Sequence, residues 1–264
     1  MDAYVICKNE ESNIGRCVRA LRAVGYSVVA LDSGSTDRTI ELAEEEGAEV
    51  RAHVYENHCQ TYNFITEGLS ADTWCVIVDA DAIVSQDLAE AVKEAVVGDH
   101  EVVRAPVGMV WEGFRLNYAS LYPPKPFAFR GGRHYFTVVG HGETLVSDVL
   151  VRDVNPELIH DDRKPYEAFL GSQARYGRAL ARQSRRGPLT WRDWMRVYFP
   201  LWFMVPALAS LILRRGILDG RAGLLYALDR IVAEVVFQRQ ILLGRMRADR
   251  EGDDQAAKGE SRPR

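Results

Sequence analysis

Asp79 and Asp81 stand one residue apart at the end of the strongest strand-like run in the sequence, Trp74-Cys75-Val76-Ile77-Val78. Two carboxylates with that spacing, in the bend after a buried strand, reach one small volume, and open α/β sheets bind ligands at the carboxyl ends of their strands. Hard divalent cations such as Mg2+ and Mn2+ take one or two carboxylates and complete their shell with substrate phosphate oxygens. Such a cation neutralises charge on a departing diphosphate. The alternative is a pair of solvated strand-end carboxylates with no ligand. A second polar loop, Asp32-Ser33-Gly34-Ser35-Thr36-Asp37, also follows a strand and opens a helix. Gly34 permits a tight turn there, the hydroxyls and N–H groups can face a polar or anionic ligand, and Asp32 is placed to read a base or a ribose. A plain capping loop with Ser35 or Thr36 as N-cap accounts for the same residues.

The elements that must position these loops alternate between strand-like runs and helix-period segments, which is the pattern of βα units and a mainly parallel sheet. Tyr4–Cys7 and Tyr26–Leu31 read as the first two strands. Between them, Ile14, Cys17, Val18 and Leu21 fall at helical spacing behind Ser12 or Asn13 as N-cap. A helix from about Arg38 to Glu46 ends at Gly47, a weaker strand follows over Ala48–Val54, and a helix spans Gln60–Leu69. Ser85 caps a helix through Leu88, Val92 and Val96, and Glu101–Val110 reads as one more strand. From about Trp111 to Glu143, with Pro123, Pro124, Pro126 and Gly131-Gly132, the expectation is a loop-rich surface.

From Pro165 onward the pattern is helical. Val197–Leu213 carries no charge, but it is short, holds Pro200 and Pro206, and is flanked by Arg192, Arg196, Arg214 and Arg215. A membrane span needs about 20 apolar residues, so shallow insertion is the expectation. A last helix, about Asp219 to Met246, sets Leu224, Leu228, Ile231, Val235 and Leu242 on one side. The aromatic cluster Trp191, Trp194, Tyr198, Phe199 and Trp202 beside arginines suits a membrane interface; an oligomer interface is the alternative.

Charge divides along the chain. The net charge is −4, yet residues 1–159 carry 13 Lys/Arg against 25 Asp/Glu while residues 160–250 carry 17 against 8. An acidic first half argues against nucleic acid as partner, and a basic, apolar second half suits anionic lipid. Cys7, Cys17, Cys59 and Cys75 form no metal-binding pair, so reduced thiols facing a cytosol are expected. The N-terminal residues read as a strand rather than a secretory signal. The expected division is an α/β catalytic domain over 1–160, a basic helical membrane-association region over 161–249 and a disordered tail over 250–264.

Lys8-Asn9-Glu10-Glu11 after the first strand, Asp32-Ser33-Gly34-Ser35-Thr36-Asp37 after the second and Asp79-Ala80-Asp81 after the fourth, taken together, resemble glycosyltransferase family 2. The likeness is greatest to small bacterial members similar to lipopolysaccharide-core glucosyltransferases. It implies a GT-A fold, a nucleoside-diphosphate sugar as donor, Mg2+ or Mn2+, and inversion at the anomeric carbon. Carried onto these positions, it implies Glu10 and Asp32 at the nucleoside, Asp79 at the ribose or metal, and Asp81 at the metal and diphosphate. The subgroup often has an acid directly after the triplet; here it is Ala82, which bears on the donor sugar. Inverting transfer to a hydroxyl needs a base. Gly140-His141-Gly142-Glu143 resembles the family's His-Glu element with Gly142 between the pair, and makes Glu143 the candidate base, unless it pairs with Arg130 or Arg133. His141 reads as a hydrogen-bonding neighbour. His160 resembles a histidine that approaches the diphosphate; a structural histidine is the alternative.

The expected function is therefore hexosyl transfer to a lipid-linked or cell-envelope glycan at the cytoplasmic face of the plasma (inner) membrane, by a peripheral or monotopic enzyme. A polyprenyl-phosphate sugar synthase, which needs no base, and a noncatalytic nucleotide-sugar sensor or membrane scaffold are the rivals. A nucleotidyltransferase would release pyrophosphate instead.

Overall fold

Side chains alternate across a strand, so β1 (Asp2–Cys7) sends Ala3, Val5 and Cys7 to one face of a sheet and Tyr4 and Ile6 to the other. Both faces are apolar because helices cover both. The computed structural model describes residues 1–139, 142–184, 189–199, 202 and 204–260. It divides into two compact units: Met1–Val138 with Gly142–Lys164, and Pro165–Arg264 with Val139–His141.

In the first unit, β1 is followed by α1 (Ile14–Ala23), β2 (Ser27–Asp32), α2 (Thr39–Glu45), β3 (Glu49–Ala52), α3 (His58–Glu67), β4 (Trp74–Asp79), a short β5 (Ala82–Ile83) and α4 (Gln86–Ala95). Ile14, Cys17, Val18 and Leu21 of α1 and Leu88, Ala89 and Val92 of α4 pack on Val5, Ala30, Val76 and Val78. Tyr62 and Ile65 of α3 pack on Ile6, Leu31, Cys75 and Ile77 across the sheet. Ser85 caps α4, its hydroxyl accepting from Leu88 N at 3.2 Å.

The next strands are β6 (Val102–Ala105), β7 (Val107–Trp111), β8 (Phe114–Leu116), β9 (Lys125–Arg130), β10 (Phe136–Val139), β11 (Gly142–Leu145), β12 (Val151–Asp153) and β13 (Leu158–Asp161). The main sheet has the order β12-β6-β9-β4-β1-β2-β3. β1 pairs in parallel with both β2 and β4, and β2 with β3. The order runs outward from β1 in both directions, which opens a crevice at the carboxyl ends of β1 and β4. A second sheet, β5-β13-β7-β8, sets His160 of β13 opposite Ala82 of β5, and β10 pairs with β11.

Two expectations for this part are corrected. Glu101–Val110 is two strands in two different sheets, separated by Pro106. The stretch expected to be loops also holds β8 to β11, and β9 lies inside the main sheet between β4 and β6 despite Pro126. Proline removes a ladder donor. Here the β6 pairing shifts register between Val103 and Arg104, next to Pro126, so the irregularity falls where the donor is missing.

The second unit comprises α5 (Tyr166–Gln183), α6 (Trp191–Tyr198), α7 (Met204–Leu208) and α8 (Gly220–Glu260). Leu180, Ala181, Val197, Phe237 and Ile241 form its apolar centre. Buried Glu234 accepts from Arg196 at 2.7 and 3.1 Å and from Arg230 at 3.4 Å. Thr190 caps α6 by accepting from Asp193 N at 3.2 Å, and its own hydroxyl donates to the Asp193 carboxylate at 2.8 Å.

The uncharged run is no continuous helix: α6 stops at Tyr198, Phe199 turns to extended backbone, and α7 runs into a π-type turn over Ala209–Leu213. Pro200 lies outside the described residues. Among the described residues no helix is long and apolar enough to cross a membrane. α8 extends past Met246 into the stretch expected to be a disordered tail, as far as Glu260. No proline interrupts the chain between Gly220 and Glu260, and the segment holds good helix formers.

Candidate functional site

Each of the three polar loops lies at the same edge of the sheet because of strand register. Cys7 is level with Asp32, and Ile6 with Asp79, so the segments after β1, β2 and β4 emerge side by side. The first two interlock. Asn9, in the left-handed region at φ 55°, donates its N–H to Ser35 Oγ at 2.8 Å and accepts from Thr36 N at 2.8 Å. Glu10 N donates to Thr39 Oγ1 at 2.7 Å, and Glu11 N to Asp37 at 3.2 Å.

Asp32 is buried, and its carboxylate accepts from Gly34 N at 2.9 Å, Ser35 N at 3.0 Å and the Ser35 hydroxyl. It therefore shapes the loop it begins, around Gly34 at φ 84°. Ser35 serves that turn rather than capping α2. Glu10 is held by Lys164 Nζ at 2.6 Å and by Asn13 Nδ2 at 2.9 Å. The end of β13 and the residues after it supply that lysine and tie to the start of α1: Asp161 pairs with Arg16 at 2.6 Å, and Asp162 accepts from Asn13 at 2.8 Å.

Asp79 and Asp81 have different surroundings. Asp79 is ion-paired with Lys125 Nζ, and His58 Nδ1 lies 4.0 Å from its other oxygen. Burial alone would raise the Asp79 carboxyl, but the Lys125 ammonium and His58 outweigh it and hold the group well below the usual carboxylate range. Burial opposes the charge on Lys125 in turn, and Asp79 more than reverses this, raising it well above its ordinary value. Asp81 Oδ1 is buried without a hydrogen-bond partner among the described residues; His160 Nδ1 stands 3.3 Å away, at ion-pair distance. Burial lowers the His160 imidazole, and the Asp81 and Asp79 carboxylates reverse that and raise it above 6.5. Tyr122 stacks on the same ring, centroids 5.4 Å apart.

The structure thus brings Glu10, Asp32, Asp79, Asp81 and His160 to one end of the first unit. Glu143 has its backbone on β11; its side chain, and His141 altogether, lie outside the described residues. The hairpin that carries Glu143 is pinned by buried Asn63, which accepts from Tyr135 N and Phe136 N at 3.0 Å and donates to Phe136 O at 2.8 Å. The arginines considered as partners for Glu143 engage other acids: Arg130 pairs with Asp72 at 3.5 Å, and Arg133 with Asp148 at 2.6 Å and with Glu101. Lys125, His58, Tyr122 and Lys164 escaped the sequence reading. Lys125 sat among prolines that signalled a loop, and only the β4–β9 pairing shows what it faces.

Among the described residues no group of three or more His, Cys, Asp or Glu side chains is gathered to hold a metal. The Asp81 carboxylate, with a buried oxygen that makes no hydrogen bond among the described residues, fits a hard cation that takes most of its ligands from phosphate and water. Asp81 would hold it, with Asp79 beside it.

Residues 2–142 match the family described as glycosyl transferase family 2. The lipopolysaccharide core biosynthesis glycosyltransferase LpsC of Rhizobium meliloti (strain 1021) is 32% identical over 109 residues, 39% of each chain. An uncharacterized glycosyltransferase of Rickettsia felis is 30% identical over 93 residues, 35% of this chain and 32% of its own. The chain thus spans between about a third and two-fifths of the length of these curated relatives. Glucosyl-3-phosphoglycerate synthase from Mycobacterium tuberculosis, solved with Mn2+, uridine diphosphate and glucosyl-3-phosphoglycerate, superposes at a TM-score of 0.48 with 17% identity, over 72% of this chain and 80% of that one. With the family match covering more than half of its residues, and with its three motifs meeting at one sheet edge, the chain belongs to glycosyl transferase family 2.

Proposed function

We propose that this protein transfers a hexose, with inversion, from a nucleoside-diphosphate sugar to a hydroxyl of a lipid-linked or cell-envelope glycan, at the cytoplasmic face of the inner membrane. The observation that carries the reading is the meeting of the β1, β2 and β4 loops at the carboxyl ends of their strands, where Asp81 keeps a buried oxygen without a hydrogen bond among the described residues. When Mg2+ or Mn2+ is bound, it supplies the charge neutralisation that a leaving diphosphate needs. Asp81 is the residue that would hold it. In this reading Asp32 and Glu10 serve the nucleoside and His160 the diphosphate, which their position beside Asp79 and Asp81 at the ends of the strands supports. We assign Glu143 as the base that accepts the proton of the acceptor hydroxyl. The relative named for lipopolysaccharide core biosynthesis supports the acceptor class.

The direct test is a screen of nucleotide sugars with membrane extract as acceptor and mass detection of the product. Asp81→Asn should lower turnover by at least about 100-fold, the scale of losing one charge-stabilising contact in a transition state, with the circular dichroism unchanged. Near-normal transfer by that variant, or full activity in excess chelator, removes the metal role. Glu143→Gln should slow transfer to a hydroxyl by about 100-fold or more. Full activity in a folded variant points to an acceptor that is already anionic, such as a lipid phosphate.

A further inference from the structure

Lys125, at the start of β9, meets Asp79, at the end of β4. β9 runs antiparallel to β4 with Val76 level with Ala128, which carries the start of one strand toward the end of the other, and there the two side chains are ion-paired. Pro124 and Pro126 flank the lysine and restrict its backbone. Its ammonium sits on Asp79 Oδ2 while His58 approaches Oδ1, so both oxygens of that carboxylate already face groups of this chain. The lysine and Asp79 side chains are 33% and 29% exposed, so the pair is open to solvent, within reach of a ligand, rather than in the core. Among the described residues Asp81 has no lysine or arginine partner of this kind; its Oδ1 makes no hydrogen bond and has only the His160 imidazole at ion-pair distance, 3.3 Å.

A divalent cation entering between the two carboxylates would meet the Lys125 charge and find Asp79 taken. An ammonium is a compact, strongly hydrated point charge on a flexible stem. It can hold a carboxylate in the free protein and turn to a phosphate oxygen when one arrives. We propose that Lys125 is a resident counter-cation of Asp79: it keeps the free enzyme from binding the metal at the carboxylate pair and makes metal capture depend on the donor's diphosphate. Lys125 is in this sense a positioning residue, acting through Asp79. The inference rests on the nucleotide-sugar reading only for its second half; the first half concerns metal and protein alone.

The test measures Mn2+ affinity of the full chain without donor, from the electron paramagnetic resonance signal of free Mn2+. Wild type should bind weakly. Lys125→Met should bind at least about ten-fold more tightly, Lys125→Arg should stay at the wild-type level because it keeps the charge, and Asp79→Asn added to Lys125→Met should abolish the gain. A folded Lys125→Met protein with unchanged or weaker Mn2+ affinity overturns the proposal. A second measurement needs no variant: a panel of UDP, GDP, ADP and dTDP is added to wild type. At least one should tighten Mn2+ binding by about ten-fold or more beyond what that nucleotide alone takes up. Wild type that binds Mn2+ equally tightly without any nucleotide also overturns the proposal. If no nucleotide binds, the nucleotide-sugar reading fails, while the Lys125 variants still decide the metal half on Mn2+ alone.

Discussion

At the scale of single residues, the two acids of the crevice differ through their neighbours. Asp79 answers to a permanent cation, Lys125, whereas Asp81 answers to His160, whose charge depends on pH. His160 is raised above 6.5 in the folded protein. Its contribution to stability is therefore fully present below 6.5 and is lost as pH rises through the raised, folded-state value. Nuclear magnetic resonance titration of the metal-free protein should find His160 protonated above 6.5, and Asp81→Asn should bring it down. In denaturant unfolding, wild type should lose stability relative to His160→Gln as pH climbs across that window. A His160 that titrates at or below 6.5 contradicts the Asp81 pairing.

At the scale of elements, close approach governs both units. In the first, the central strands are buried on both faces, so single-atom packing matters. Ile77 is fully buried, and Ile77→Ala should destabilise by about 2–5 kcal/mol, read from urea unfolding. In the second, α5 meets α8 at Gly177, where a Cβ would stand 2.8 Å from Phe237 O and 2.9 Å from Gln240 Cβ. Backbone cannot yield as a side-chain tip does. Gly177→Val should force the helices apart at a cost of about 1–3 kcal/mol, visible as a lower melting temperature. Unchanged stability would mean that the helices do not approach so closely in solution.

At the scale of the whole molecule, an acidic α/β unit is joined to a basic helical one. α8 buries Tyr226, Ala233, Phe237 and Ile241, whereas Leu224, Leu228, Val235 and Leu242 are exposed within the unit and Ile231 is half-buried. The stripe singled out from sequence is thus the outward one. Trp191, Trp194, Tyr198 and Phe199 are exposed as well. Our proposal that this surface rests on an anionic leaflet predicts flotation with phosphatidylglycerol vesicles. Salt should release only part of the protein, since arginines contribute on the order of 1 kcal/mol each near the surface and apolar insertion adds to it. Trp191→Ser with Trp194→Ser should weaken flotation. Recovery of wild type free of vesicles at low salt ends the proposal.

What the sequence determined by itself is what short-range physics controls. Short apolar runs and helical spacing marked β1, α1, β2, β4 and α4; Ser85 marked a cap; and the end of the Trp74–Val78 run placed Asp79 and Asp81 at the carboxyl end of a strand. The tertiary structure decided who stands opposite whom. Pro123, Pro124 and Pro126 are local signals for a loop, yet β9 enters the sheet because its apolar Phe127, Ala128 and Phe129 are buried between β4 and β6. That insertion delivers Lys125 to Asp79, and the pairing of β13 with β5 delivers His160 to Asp81. Partners 46 residues apart, as Asp79 and Lys125 are, leave no periodic trace in the chain, because strand pairing is selected by burial of the whole sheet rather than by the preferences of either segment.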